Sequence, residues 1–569
     1  MMNLKRLPIG RSDFKSIIED NMYYIDKSML IKEIIESGDV ILITRPRRFG
    51  KTLNMSMMKY FFRNDQDNKH LFEGLKIWKK KEIIEKYLNK YPVIYLTFKD
   101  AKQEDFLTMY SKIKMIIRDV YDEFNYLLNK NILSEIEKKD YMRVLGLEEI
   151  KGNTIEEKRS NEKTMFEESI KKLSEYLYRY YKQKVILLID EYDTPIQQSY
   201  LNGYYNEFIN FMGNILGNAL KDNEYLEKGV LTGITRVAKE SIFTGVNNLD
   251  VSTILGKLFN DKFGLTWEEV EETLRYYGLE YEKEKVIEWY NGYNFGGKEI
   301  YNPYSIINLA RNKGEIKYYW INSSGNALIK QLIRQSTAEV KTKIEELIEG
   351  KEIESSIDEN LVYGDLDKST EESIWTLFLF TGYLTWTKHT GEEGEPRYSL
   401  KITNKETLQF FKKTVVDIIK ETKIELESII QNIIIGKYKE FGIKFKKIVK
   451  ETLSYYDISG EEPERFYHGL ILGMVVGLSK KYIVKSNRET GYGRADLILI
   501  PKEKTEPGII FEFKKYSIDF DKDLKDSAEK GIKQIEEKGY EEEIKSYGIE
   551  KIIKVAIAFD KKNVEIIVK

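Results

Sequence analysis

The chain has no cysteine and only three histidines in 569 residues. The first absence excludes disulfides, thiolate nucleophiles and cysteine-ligated zinc or iron–sulfur centres. The second argues against a histidine-rich metal site, so any metal chemistry must be carboxylate-based. Long apolar runs are lacking too. The longest, Gly469 to Leu478, contains three glycines and is too short to span a bilayer. The opening residues, MMNLKRLPIGRSDF, include no apolar stretch of signal-peptide length. The expected location is cytoplasmic, with no membrane partner. Neither sign of charge dominates: 91 basic residues face 93 acidic ones, for a net charge of -2. A nucleic-acid contact would have to come from a local patch, not from the overall field. The length suffices for roughly three or four domains, and 41% hydrophobic residues is ordinary for globular chains.

Chemistry is concentrated in Gly491 to Tyr516, GYGRADLILIPKEKTEPGIIFEFKKY. This stretch reads as a strand with Asp496, a turn marked by Pro501 and Pro507-Gly508, and a strand with Glu512 and Lys514. Alternation puts Ile510, Glu512 and Lys514 on one face and Phe511 and Phe513 on the other. A carboxylate and an ammonium on one face of an apolar strand are costly to bury unless paired or engaged with a ligand. If the strands pair, Asp496 approaches Glu512. Two carboxylates around a gap suit a hard cation such as Mg²⁺, and the lysine can position water or offset developing negative charge. The alternative is a strand-edge salt bridge.

A second concentration lies near the N-terminus. Val40 to Ile43 reads as a buried strand, TRPRRFGKT follows at Thr44 to Thr52, and a helical pattern continues through Leu53, Met57, Met58 and Phe61. Strand, loop ending in Gly50-Lys51-Thr52, then helix is the context of a phosphate loop. Helix-start amides would cradle phosphate, Lys51 would reach the terminal phosphates and Thr52 would hold Mg²⁺. Arg45 stands where the full Walker A pattern has its first glycine. Its complement is KVILLIDEYDTPI, in which the apolar strand Val185 to Ile189 ends in Asp190-Glu191. Asp190 is placed to hold Mg²⁺ and Glu191 to orient attacking water. Val93 to Phe98 and Gly229 to Ile234 fit as further strands of this sheet. Thr235 and Arg236, just past the second, are either γ-phosphate sensors or surface residues at a strand end. Glu104 to Lys182 reads as a charged, amphipathic helical insertion.

The stretches YYIDKSMLI, TRPRRFGKT, LLIDEYDTPI, LTGITRVAKESIF and YNGYNFGGKEIYNPYSI together resemble the bacterial and archaeal AAA-ATPase-like family with an Arg-Pro-Arg-Arg-Phe-Gly-Lys-Thr/Ser phosphate loop. That family has arginine at the position of Arg45 and commonly carries a C-terminal PD-(D/E)XK nuclease domain. The resemblance covers nearly the whole chain. It implies that Lys51, Thr52, Asp190 and Glu191 carry the nucleotide chemistry, with ATP and Mg²⁺. Arg47 and Arg48 then either contact phosphate or form structural ion pairs.

The last part of the chain resembles the RecB-like branch of the PD-(D/E)XK superfamily. Pro463 opens a helix with Glu464, Tyr467 and His468 in its first two turns. Strands Tyr482 to Lys485, Ala495 to Ile500 and Ile509 to Phe513 follow. A helix with Ala528, Ile532 and Ile535 comes next, then strands Ile552 to Phe559 and Val564 to Val568. The family signature of an early helix acid, Gly-x-x-Asp, Glu-x-Lys and a Gln…Tyr helix falls on Glu464, Gly493 to Asp496, Glu512 to Lys514, and Gln534 with Tyr540. Ala495 replaces the proline of the family name, and Tyr540 is further from Gln534 than in many relatives. By resemblance, Asp496 and Glu512 bind Mg²⁺ or Mn²⁺, Lys514 assists the attacking water, and Glu464 and Gln534 complete the set. His468 reads as a packed or hydrogen-bonded residue.

Between the two ends, Tyr290 to Tyr304 reads as turn-rich, its aromatics serving packing before base stacking. Glu339 to Glu372 reads as a boundary or solvent-facing connector, and Ser373 to Thr385 as a buried helix running into a strand. The expected fold is therefore α/β multidomain. It comprises a P-loop NTPase parallel sheet (1–265), a helical lid (266–345), a small helical or winged-helix-like domain (346–430) and a restriction-endonuclease-like α/β core (431–569). The expected function is ATP binding and hydrolysis coupled to metal-dependent cleavage of nucleic acid, DNA before RNA. The rivals are a nucleotide-dependent switch whose nuclease-like domain only binds nucleic acid or a partner, and a recombination or mobile-element ATPase. A homo-oligomer stays open, since no trans-acting arginine can be identified.

Overall fold

A computed structural model describes residues 4–236, 249–321, 326–368, 370–390, 396–421, 426–453, 481–490, 493–518, 520–560 and 563–569. The apolar runs become strands of a parallel sheet. These are β1 (Val40–Thr44), β2 (Val93–Thr97), β3 (Val185–Asp190), β4 (Leu226–Gly233) and β5 (Leu249–Ser252), in spatial order β2-β3-β4-β1-β5. All four pairings are parallel. Every residue of β1 and β3 is buried, as expected of strands covered on both faces. The two motif-bearing strands are not neighbours, because β4 lies between them.

Helix Lys51–Phe62 leaves β1 through the phosphate loop, and the charged insertion forms helices Phe106–Glu123, Glu135–Leu145 and Ile155–Tyr181. Their starts are written in the sequence. Asp105, Ser134 and Thr154 each accept a hydrogen bond from a first-turn amide, Ser134 within a capping box. The turn-rich aromatic segment forms a hairpin of β6 (Tyr293–Phe295) and β7 (Lys298–Ile300). Tyr290, Tyr293 and Tyr301 are buried in it or beside it. A three-stranded antiparallel sheet follows, β8 (Ile353–Ser356), β9 (Leu384–Thr390) and β10 (Arg397–Ile402), in order β8-β10-β9.

One half of an expectation fails here: a change of compact unit does fall within Glu339 to Glu372, between residues 346 and 347, but the solvent-facing reading does not hold. Glu339 to Glu372 is not a solvent-facing connector. It contains helix Ala338–Ile348, strand β8 and a short 3-10 helix, Tyr363–Lys368. Val340, Ile344 and Leu347 share a buried helical face, and Ile353, Ile357, Leu361, Val362 and Leu366 are buried beyond it. The dense Glu and Lys content masked this sparse apolar register.

The chain divides into two compact units. One comprises residues 1–332 and 347–410, the other 333–346 and 411–569. The second holds a mixed sheet in sequential order, β11 (Tyr482–Thr490), β12 (Gly493–Pro501), β13 (Gly508–Lys515), β14 (Ile552–Asp560) and β15 (Asn563–Val568). Only the β13–β14 pairing is parallel, and helix Leu524–Glu537 supplies part of that crossover. Alternation sorts the sheet's two faces. Leu497, Leu499, Phe511 and Phe513 pack with Phe441 and Phe445 of helix Tyr438–Leu453. Ile498, Ile500 and Ile510 pack with Ile532, Ile535 and Tyr540. No described helix is long and apolar enough to cross a membrane.

Phe511→Ala should therefore destabilise the second unit by about 3–5 kcal/mol, the usual cost of a buried aromatic cavity. Urea unfolding followed by circular dichroism would show it as an earlier transition. An unchanged unfolding curve would contradict this packing.

Candidate active sites

The phosphate loop turns on Gly50, whose φ of 85° lies in the left-handed region, and on Arg48, with φ 69°. Gly50 takes this conformation without the steric cost a side chain would bring. The amides at the start of helix Lys51–Phe62 then face a cleft of about 570 Å³, lined in part by Arg47, Arg48, Lys51, Thr52, Glu191 and Tyr304. The Lys51 ammonium is folded over the loop. It donates to the carbonyls of Arg45 at 2.8 Å and Pro46 at 2.9 Å. Burial lowers its pKa, opposed by Glu191, Asp193 and Asp190.

Arg45 explains the missing glycine. Its side chain is fully buried, 0% exposed. Nη1 donates to Thr44 O at 2.8 Å and Ser252 O at 2.9 Å. Nη2 donates to Ser252 Oγ at 3.1 Å, Leu258 O at 3.1 Å and Phe259 O at 3.3 Å. The guanidinium also lies 5.6 Å from the Phe263 ring centre and 5.3 Å from that of Phe295. Burial lowers its pKa to about 9, so it stays charged at neutral pH. Carbonyl dipoles and ring faces replace a carboxylate, and the guanidinium ties the loop to the segment after β5.

Asp190 ends β3 in a cage of hydroxyls. Thr232 of β4 donates to Oδ1 at 2.8 Å and Thr97 of β2 to Oδ2 at 3.4 Å. Burial and then the neighbouring Glu191 raise its pKa, while hydrogen bonds from Thr232 and Thr52 oppose the shift. Glu191 has φ 53°, uncommon for a residue with a side chain, and accepts from Thr194 Oγ1 at 3.3 Å. Asp193, not singled out in the sequence, is the brace behind this turn. Its Oδ2 accepts from the amides of Ile234 at 2.7 Å and Thr235 at 3.1 Å. Its only sequence signal was a further acid just after the Asp-Glu pair. Thr235 is buried against Asp193 and Tyr363. Arg236 is the last described residue before 237–248.

Arg47 Nη2 donates to Gln197 Oε1 at 2.6 Å, and the Arg48 guanidinium lies 5.0 Å from the Tyr304 ring centre. Neither contact is a carboxylate pair. The Arg47 carbonyl accepts from Trp320 Nε1 at 3.1 Å and Asn302 Nδ2 at 3.5 Å. Asn302 also caps helix Pro303–Arg311. Behind them sits Glu406, a buried carboxylate that sequence reasoning missed. It accepts from Ser305 Oγ at 2.9 Å and from the Trp320 amide. Burial pushes its pKa up to about 7, against hydrogen bonds from Ser305 and nearby amides.

In the second unit, β12 and β13 pair antiparallel as far as Leu497↔Phe511. Beyond that pair Asp496 Oδ2 accepts from the Phe513 amide at 2.7 Å, a side-chain bond where the ladder opens. Glu512 is 2% exposed. Lys514 Nζ donates to Glu512 Oε1 at 3.0 Å and to Gln534 Oε1 at 2.6 Å. Gln534 Nε2 donates in turn to Glu512 Oε1 and, at 3.3 Å, to Tyr540 Oη. Tyr540 thus joins the network despite its longer spacing. Burial raises its pKa, with Glu512 and Asp496 acting in the same direction and Gln534 against it. Gly531 lets the helix come this close. A Cβ there would stand 2.9 Å from Ala556 Cβ and 3.3 Å from Lys514 Cγ. Glu464 and His468 lie outside the described residues. Asp496, Glu512, Lys514 and Gln534 are brought together at one end of one sheet.

A parallel sheet with a phosphate loop and an acid-tipped partner strand defines a P-loop nucleotide-binding class. A mixed sheet with an acid, Glu-x-Lys and Gln network defines a restriction-endonuclease-like class. Comparison with known proteins agrees on both. Residues 8–243 match the family model described as "Predicted AAA-ATPase", and residues 462–569 match the "PD-(D/E)XK nuclease superfamily" model. The chain joins an AAA-ATPase-like domain to a PD-(D/E)XK nuclease-like domain. It is also similar to "Uncharacterized protein in vnfD 5'region" of Azotobacter chroococcum mcd 1. The two are 24% identical over 561 residues, covering 96% of this chain and 95% of that protein.

Glu406 makes stability fall with pH. Its folded pKa of about 7 lies above the ordinary 4.5, so the native state binds the extra proton between these values. The contribution is full below about 4.5 and is lost as pH rises through about 7. Asp190 and Asp193, also raised by burial, act in the same direction. Glu406→Gln should flatten part of this decline in a series of melting temperatures across that range. An undiminished decline would place the titration elsewhere.

Proposed function

We propose that this chain binds and hydrolyses ATP and uses its C-terminal domain to cleave nucleic-acid phosphodiesters, DNA before RNA, under nucleotide control. The observation that carries the nuclease reading is the Lys514 ammonium held between Glu512 and Gln534, beside Asp496. A strand-edge salt bridge would need only the pair. Here a glutamine from a separate helix fixes both partners, and the helix is admitted by a glycine.

The donor set fits a hard divalent cation. Asp496 and Glu512 offer carboxylate oxygens, and Mg²⁺ is commonly held by one or two carboxylates with water completing its shell. Asp496 and Glu512 would hold Mg²⁺ or Mn²⁺, which when bound supplies Lewis acidity toward the phosphodiester. The Phe513 amide fixes the Asp496 carboxylate. Lys514, with its side chain 27% exposed, reaches solvent while anchored. It orients the attacking water and offsets negative charge developing on the phosphoryl oxygens. Gln534 sets the position of Lys514. Glu464 is assigned to the same site by its place in the motif.

At the nucleotide site, Gly50, Lys51, Arg47 and Arg48 bind phosphate, with Arg236 as the sensor from β4. Thr52 and Asp190 are the oxygen donors for Mg²⁺, and the influence of the Thr52 hydroxyl on the Asp190 carboxyl, whose pKa it lowers, supports that assignment. Glu191 orients water at the γ-phosphate. Assembly into a homo-oligomer through the first unit is compatible with this reading.

A cleavage panel of single- and double-stranded DNA and RNA, with and without ATP and with Mg²⁺ or EDTA, tests the proposal. Asp496→Asn should lower cleavage by at least about a hundredfold, as loss of one key electrostatic group does elsewhere, while ATP binding persists. Lys51→Ala should abolish ATP binding and the ATP dependence of cleavage. Cleavage surviving Asp496→Asn would remove the proposed site. ATP-independent cleavage in the wild type would remove the nucleotide control.

A further inference from the structure

Strand β13 exits into a braced turn, described at residues 516–518 and 520–523, that holds two large apolar side chains in water. Ile518 is 82% exposed and Phe520 is 81% exposed, the highest values among the described large hydrophobics. The turn has several internal ties. The amides of Phe520 and Asp521 donate to Ser517 O at 3.1 and 2.8 Å. The Ser517 amide donates to Asp521 Oδ2 at 2.9 Å, and Lys530 Nζ reaches Asp521 Oδ1 at 2.8 Å and the Phe520 carbonyl. Tyr516 N donates to Phe559 O at 2.9 Å. Exposure is therefore a property of the built turn.

Its position gives this exposure a use. In an antiparallel pair, the start of β12 and the end of β13 lie at the same edge. Asp496 and Lys514 sit at that edge, and the turn leaves from it. The described acids around the turn are engaged within it. Asp521 and Asp526 pair with Lys530, and Asp523 caps the following helix. Lys515, Lys522 and Lys525 are exposed, Lys525 in an i,i+4 pair with the exposed Glu529 at 3.9 Å. An aromatic side chain among exposed lysines, beside a phosphodiester site, matches the needs of a single strand, whose bases stack on rings while its backbone tracks positive charge.

We propose that Phe520, backed by Ile518, is a stacking finger for an unpaired base of the strand lying in the nuclease site. The inference rests on the nuclease reading above and adds the form of the substrate at that site. Stacking is sequence-tolerant, because every base has a π-face, so the finger favours unpaired strands without reading their sequence. Lys515, Lys522 and Lys525 contact phosphates on either side.

Fluorescence anisotropy of the full chain in an Asp496→Asn background, with Mg²⁺, tests this on a labelled mixed-sequence oligonucleotide of about 20 nucleotides, single-stranded and as a duplex, a length exceeding one typical binding site. Phe520→Ala should weaken single-strand binding by about tenfold, within the roughly 5- to 150-fold range of one stacked base. Phe520→Trp should preserve it. Phe520→Ala should leave the dependence of log Kd on log salt unchanged, whereas Lys522→Ala should reduce that slope by about 0.7. Because the ring lies in water, the melting temperature should not move. Parental affinity in an Ile518→Ala/Phe520→Ala variant overturns the finger while leaving the nuclease reading intact. So does an equal loss on duplex, or lost self-association in sedimentation with oligonucleotide binding unchanged. A parent that binds neither probe overturns both.

Discussion

The nucleotide-binding unit depends on a charge buried without an opposing charge. The Arg45 guanidinium sits at the exit of β1, where a phosphate loop ordinarily has a glycine, and is neutralised by carbonyl oxygens and two aromatic faces. Apart from that of Thr44, those carbonyls belong to the last residue of the edge strand β5 and the segment that follows it. The loop is thus supported from behind by main chain, and its front is left to Lys51 and the helix-start amides. Such an arrangement trades the conformational freedom of glycine for a fixed set of directional hydrogen bonds.

Both candidate sites use the same physical device. A strand buried on both faces delivers an acid to its end, and a neighbouring element supplies hydrogen bonds that hold it. For Asp190 the donors are threonines of the flanking strands. For Glu512 they are a lysine from its own strand and a glutamine from the covering helix. Burial raises the cost of ionising Asp190, and an approaching cation recovers that cost. In each case the packing that makes the fold also prepares the acid for a positively charged ligand.

Much of this was readable in advance, for definite reasons. Val40 to Ile43 and Val185 to Ile189 are apolar without interruption, and each is followed at once by chemistry-bearing residues. The Asp496 and Glu512–Lys514 pair declared itself because charges on an apolar strand need an explanation. What escaped were residues whose meaning is set by partners distant in the chain. Arg45 bonds to carbonyls, which have no side-chain signature, some 207 to 214 residues away. Glu406 lies 101 residues from Ser305 and 86 from Trp320. Asp193 looked like one more acid in an acidic turn, and Gly531 like an ordinary helix residue. The segment from Glu339 was misread because its apolar residues were too sparse to stand out among glutamates and lysines.

The division of the chain into units has a consequence for how the molecule is made. The path runs through residues 1–332, crosses to 333–346, returns for 347–410 and crosses again for 411–569. On the ribosome, the short piece of the second unit emerges before the first unit is finished and long before the sheet it joins exists. It must wait for a partner still to be synthesised. Three crossings also mean that no single cut separates the units with their parts intact. A fragment beginning at residue 411 would carry the nuclease-like sheet but leave one of its own segments behind.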